Sequence, residues 1–301
     1  MCNFKSFIVT IDGGVYYSLK HDNHSRLLEE LKIEDDTADP ELIKFARVEI
    51  VPANNVFDEN LKDWKLKIDQ SIKPKWWGKD LEYKCFLKLK EALDKQVFIG
   101  KKNLELRDGL FFLKDSIVED MRSNSIVEVM RGNSIVKDMW DNSIVKAMGD
   151  NSIVKDMRDN SIVEVMYSNS IVEVMRGNSI VEDMRGNSIV EVMWDNSIVK
   201  DMWDNSIVKD MWGNSIVEVM RGNSIVEVMR GNSIVEVMRG NSIVKVMRDN
   251  SIVKDMRGNS IVKVMRDNSI VEVMRDNSIR REDGLVYLPK GIKSNQHKNK
   301  K

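Results

Sequence analysis

Few residues in this 301-residue chain have both the type and the spacing to do chemistry. His21 and His24 lie three apart with Asp22 between them, the beginning of a metal or acid–base site. No third ligand stands at a recognisable spacing, so the pair reads as loop and cap residues. No metal and no cofactor is expected. Cys2 and Cys85 cannot make a disulfide framework, and Cys85 falls within a helical apolar pattern, where a thiol packs as a small hydrophobe. Phosphate-loop and nucleophile motifs are absent. Five aromatic residues remain: Trp140, Tyr167, Trp194, Trp203 and Trp212. They stand at one position of a repeat where most other copies carry Arg. Aromatic and Arg side chains are favoured in interfaces, so these five are the candidate partner-binding residues.

The repeat that carries them is nine residues long. It reads Asn-Ser-Ile-Val-Glu/Lys-Val/Asp-Met-Arg/Trp-Gly/Asp and runs without a gap for eighteen copies, Asp115 to Asp276. A broken nineteenth copy begins at Asn277. One long helix is excluded, because nine residues at about 100° each make about 900°, half a turn out of phase. Short strands fit: Ile-Val favours the extended state and Gly/Asp-Asn-Ser favours a turn. A strand and a turn repeated in tandem predict a β-solenoid, so the fold class is mainly β. The calcium-binding β-roll shares the nonapeptide length but needs Gly-Gly-x-Gly-x-Asp at each turn. This turn lacks that pattern, so calcium is not expected.

Neither face of a strictly alternating strand is clean. Position five is always Glu or Lys, and position six is Asp in seven copies, for example Asp138, Asp201 and Asp255. A charge in every layer of a dry core is not tolerated. A bend around positions five and six resolves this. Positions two, four and seven (Ser125, Val127 and Met130 in the second copy) then face in, while five, six and eight face water. The position-three Ile, such as Ile126, becomes either an outer stripe or a residue tucked into a corner. The Met at position seven, Met121 to Met274, could line a soft-metal or binding stripe but reads first as core filling. Stacked position-one Asn residues, from Asn124 onward, are placed to form amide ladders.

Position five also predicts how many copies make one coil. Stacked coils bring equal positions to about 4.8 Å, where opposite charges help and like charges repel. Copies three apart are opposite in 13 of 15 pairs, copies two apart in 11 of 16, and adjacent copies in 6 of 17. The preferred reading is therefore three copies per coil: a three-sided solenoid of six coils, roughly 29 Å long. Two copies per coil is the flatter alternative. It alone would stack Trp194 beside Trp212.

Residues 1–114 do not repeat and read as an α+β domain large enough for its own core. Strands are predicted at Phe4–Ile11, Val15–Leu19, Phe45–Val51 and Trp64–Asp69, with a turn at Asp12-Gly13-Gly14. Ser25 is the expected cap of a short helix ending at Leu31. Leu81, Cys85, Leu89 and Leu93 mark a helix over Asp80–Lys95. Trp76 and Trp77 should pack this domain. Its expected place is over the upper edge of the array, residues 115–279, where it would block strand addition. Residues 280–301 add a last strand, Leu285–Leu288, and a lysine-rich tail.

The 47 basic and 48 acidic side chains predict no strong attraction to nucleic acid or membranes. With no signal-peptide shape, a cytoplasmic protein is expected.

Met1-Cys2-Asn3-Phe4-Lys5-Ser6, Asn23-His24-Ser25, Arg47-Val48-Glu49 and Trp64-Lys65-Leu66-Lys67-Ile68-Asp69-Gln70, with Pro74 and Trp76, resemble the head of a group of uncharacterised bacterial and phage proteins. Those proteins continue into arrays resembling Asn-Ser-Thr-Val-Glu-Ala-Tyr-Gly, with eight-residue units where this chain has nine. The resemblance implies a head domain followed by a solenoid and carries no activity. The functional expectation is a non-enzymatic scaffold that binds a protein partner or associates with itself. The alternative is a head domain, a small enzyme or a phage-encoded inhibitor, carried on a solenoid stalk.

Overall fold

The computed structural model describes residues 5–34, 43–58, 60–282 and 284–289. Cys2 and the lysine-rich tail lie outside these residues. The chain divides into two compact units: Met1–Ile99 with Asp108–Leu113, and Gly100–Arg107 with Lys114–Lys301.

The first unit is built on a four-stranded antiparallel sheet in the order β2-β1-β3-β4: β1 (Lys5–Thr10), β2 (Val15–Tyr16), β3 (Phe45–Val51) and β4 (Lys65–Ile68). The predicted turn closes β1 to β2, with the Thr10 N–H donating to the Gly14 carbonyl and Gly13 at φ +86. Helix α1 (His24–Leu31) starts earlier than expected. Its cap is Asn23, whose side chain accepts from the Arg26 N–H, so Ser25 lies inside the first turn. Helix α2 (Lys79–Gln96) buries Cys85 and Leu89 against Phe7, Val9, Val48, Trp64 and Trp77, as the helical spacing predicted. Leu27 and Leu28 pack α1 on Ile8 and Phe45.

The second unit is a parallel β-solenoid. Every copy gives one strand: β5 (Val97–Ile99) and all of β7 (Leu110–Lys114) but Lys114 belong to the first unit, β6 (Leu104–Arg107) to the second, and the array strands run from β8 (Ile117–Arg122) to β25 (Ile270–Met274). Each pairs in register with the strand two copies away, so Ile135 lies beside both Ile117 and Ile153. Two copies therefore make one coil of eighteen residues, and the three-sided reading is overturned. The error has a plain cause. The charges at position five come in runs of two to four copies, so they alternate best at a lag of three whatever the stacking. Odd copies form one sheet and even copies the other. Eighteen copies make nine coils, about 43 Å at about 4.8 Å each. Strands β26 (Ile279–Glu282) and β27 (Leu285–Tyr287) close the odd-copy sheet as an antiparallel pair.

The inward set is the predicted one. From Ser125 to Val253 every Ser at position two and every Val at position four is fully buried, as is every Met through Met256. The Met stripe is core. Positions five and six both face outward, across the predicted bend. The position-three Ile forms the outer stripe, half-buried because each packs between the Ile residues of neighbouring coils. Asn side chains form amide ladders along both edges, with Nδ2 to Oδ1 distances of 3.2 to 3.5 Å.

The contrast between positions four and six gives a direct check. Val190→Asp places an unpaired charge in the dry interior and should cost about 4 kcal/mol or more. Val192→Asp, two residues on, puts Asp where seven copies already carry it and should cost less than about 1 kcal/mol. Urea melts of the full chain distinguish the two.

Candidate functional site

Position eight lies just past each strand, at a corner of the flattened coil. Its backbone continues the ladder: the Trp212 N–H donates to the Met193 carbonyl at 2.9 Å, and the Ser215 N–H closes the turn on the Trp212 carbonyl at 3.3 Å. The residue after it, at position nine, adopts a left-handed φ in nearly every copy, for example Asp195 at 57 and Gly213 at 66. That conformation suits Gly and Asp, and it reverses the chain so that position eight projects from the edge.

Two rows result. One edge carries, in order, Arg122, Trp140, Arg158, Arg176, Trp194, Trp212, Arg230, Arg248 and Arg266. The other carries Arg131, Gly149, Tyr167, Arg185, Trp203, Arg221, Arg239, Arg257 and Arg275. The five predicted aromatics are thus split three and two. Trp194 and Trp212 come together, with ring centroids 5.1 Å apart and planes 15° from parallel. Trp140 stands apart on the same edge. Tyr167 and Trp203 belong to the opposite edge, two coils from one another.

Sequence reasoning missed what holds these rings. The Arg eighteen residues after a Trp lies over its face: Arg158 on Trp140 at 4.1 Å, Arg221 on Trp203 at 4.3 Å and Arg230 on Trp212 at 4.4 Å. Each of these guanidinium groups also pairs with the position-six Asp of the Trp's own copy. The pairs are Arg158 with Asp138 at 3.6 Å, Arg221 with Asp201 at 3.2 Å and Arg230 with Asp210 at 3.9 Å. Asp-x-Trp with Arg one coil later is therefore a clamp, combining a cation–π contact with an ion pair. It was legible only once the coil length was known. Tyr167 has the looser version, with Arg185 at 5.9 Å and Val165 in place of the Asp. Trp194 differs again. Its copy carries Val192 and, among the described residues, no guanidinium stacks on it; its exposure, 39%, matches that of Tyr167 and Trp203.

The first unit holds a separate polar group. The Lys5 ammonium is buried and donates to the Ser18 carbonyl at 2.6 Å and to Gln96 Oε1 at 2.9 Å. Burial lowers its pKa to about 8, against the opposing pull of Asp22. Burial raises Asp22 to about 6, although Lys5 and the Ser6 N–H, which donates to its Oδ1, favour the charged form. His21 and His24 do not act as a pair. His21 Nε2 meets Glu30 Oε1 at 2.9 Å, while His24 faces β3 and β4. Cys85 is buried, and burial raises its thiol to about 12, which makes it inert. Among the described residues no helix is long and apolar enough to cross a membrane.

No family model, no curated protein and no solved structure matches the chain.

Two measurements check this electrostatics. Arg230→Ala removes both halves of a clamp and should cost about 1 kcal/mol more than Arg239→Ala, whose row neighbours are both Arg. Lys5 gives a pH dependence of definite sign. Between pH 8 and 10.5 the unfolded chain keeps this proton and the folded chain does not, so its contribution to stability rises with pH across that window. Lys5→Met should abolish that rise, seen as a melting-temperature gap to the wild type that widens in favour of the wild type from pH 8 upward.

Proposed function

We propose that this protein is a non-enzymatic scaffold: a rigid solenoid that offers the edge bearing Trp194 and Trp212 to a protein partner. Trp194 carries the reading. It is the array tryptophan without an Arg–Asp clamp, and it is backed by a stacked ring, so its exposed face is held in place at little entropic cost. The arginines around it add donors for acidic or carbonyl groups. The clamped and half-buried rings Trp140 and Trp212 support that edge, while Trp203, 37% exposed, is clamped on the opposite one. A cytoplasmic location, in a bacterial cell or a phage-infected host, fits the resemblance of the head motifs; that resemblance supplies no activity.

A second reading places activity in the head, with the solenoid as its stalk. The buried Lys5 and Asp22 favour it, because shifted titratable groups gather at functional sites.

Quantitative affinity capture with the full chain separates the two. The Trp194→Ala, Trp212→Ala double variant should lose its specific partner at least about tenfold, while Trp203→Ala keeps it. An unchanged partner set from the double variant would remove the edge from consideration and leave the head reading standing.

A further inference from the structure

We propose that His24, Glu49 and Asp69 form a binding site for one divalent transition-metal ion, with Zn2+ the best match to the donor set. The sequence hid this site, because its carboxylates come from strands far along the chain. One ligand atom from each of the three residues lies within 4.8 Å of the others. Three donors at about 2.1 Å from a tetrahedral zinc are separated by roughly 3.4 Å, so rotamer shifts of about 1 Å close the site.

The elements holding the ligands are independently fixed. His24 opens α1, whose Leu27 and Leu28 pack on Ile8 and Phe45. Glu49 sits in β3, in register between Ser6 of β1 and Lys67 of β4. Asp69 follows β4 directly, and its N–H donates to the Arg47 carbonyl at 2.8 Å. The donors are therefore held on rigid elements before any ion arrives, as a metal site requires.

The imidazole gives an independent indication. His24 Nε2 lies 3.1 Å from the Val48 carbonyl, which can only accept, so Nε2 carries a proton. A neutral ring then turns its Nδ1 lone pair toward Asp69 Oδ2, 3.5 Å away. Two acceptors face each other, and something positive must lie between or on them. A ring whose far N–H donates to a backbone carbonyl, with the near nitrogen aimed at carboxylates, is the usual arrangement of a metal-bound histidine. Lys67 sits at 3.4 Å from the other oxygen of Asp69, which leaves Oδ2 for the ion. Glu49 is nearly buried and Asp69 is 39% exposed, so the site is closed behind and open to water in front. One nitrogen and two carboxylates with an open side suit zinc and neighbouring ions, with no thiolate in the set.

The competing arrangement is a doubly protonated His24 paired with Asp69, and the experiment separates the two. Isothermal titration of the full chain with Zn2+ alone should show one ion per chain. His24→Ala and Asp69→Asn should each weaken binding by about tenfold or more, and His21→Ala should leave it unchanged. Asp69 is partly exposed, so Asp69→Asn keeps the test meaningful if His24→Ala disturbs α1; circular dichroism confirms the fold of each. Co2+ in place of Zn2+ should give the visible absorption of a nitrogen–oxygen tetrahedral site, which a structural ion pair cannot. Absence of stoichiometric binding, or equal binding by the wild type and both ligand variants, would overturn the proposal.

Discussion

The structure of the array depends on one contact: the in-register parallel pairing of each strand with the strand eighteen residues away. It satisfies the backbone between coils, and the chain reversal at each edge continues it, with Asn214 N–H donating to the Asp195 carbonyl at 2.8 Å. The same contact dictates the chemistry of every row. A side chain in this solenoid has its own repeat position as a neighbour above and below, at about 4.8 Å. The repeat is therefore a set of residues that tolerate their own kind. Val and Met stack into a dry core, Ile into an outer stripe and Asn into an amide ladder.

Charged rows are the difficulty. At position five, eleven of the sixteen stacked neighbours are opposite in sign, and Lys-to-Glu pairs such as Lys200 with Glu182 close at 2.7 Å. Glu164 has its carboxyl pKa raised by burial first, with Lys146 opposing and Glu182 adding to the shift. Position six stacks Asp120, Asp138 and Asp156 in direct succession. Asp138 is raised by burial, then lowered by Arg158 and raised again by its two Asp neighbours. Where an Asp of this row is in reach, the Arg at position eight answers it, as Arg158 does for Asp138 and Asp156. Coils that replace it with Trp borrow the Arg of the next coil. Trp194 escapes that economy because Val192 leaves no Asp to neutralise, and this makes it the residue to examine for recognition.

What the sequence made legible follows the same logic. Inward and outward positions could be assigned because buried charge is intolerable locally, within one strand. The number of copies per coil could not, because it depends on contacts between coils, and runs of like charge mimic a longer period. The Arg clamps on Trp140, Trp203 and Trp212 were invisible for that reason. In the head, β3 matched Phe45–Val51 residue for residue, since its apolar run is bounded by a proline. The grouping of His24 with Glu49 and Asp69 was not legible, because sequence spacing says nothing about which strands of a sheet lie side by side.

Position nine, Gly or Asp in every copy but those of Ser123 and Ser168, shows why two unlike residues can share one place. The left-handed conformation there costs a residue with a side chain about 1 kcal/mol, while Gly meets it freely but is costlier to order. All eight Asp copies recover that cost in the same way. Each carboxylate accepts the N–H of position nine in the coil before it, as Asp195 does from Gly177 at 3.1 Å and Asp276 from Gly258 at 2.9 Å. A charge-assisted bond between coils offsets the local strain. Gly and Asp are thus near-equivalent solutions to one turn, and the array can exchange them copy by copy. The donor N–H always lies in the earlier coil and the accepting carboxylate in the later one, so each Asp ties its coil to the one before it.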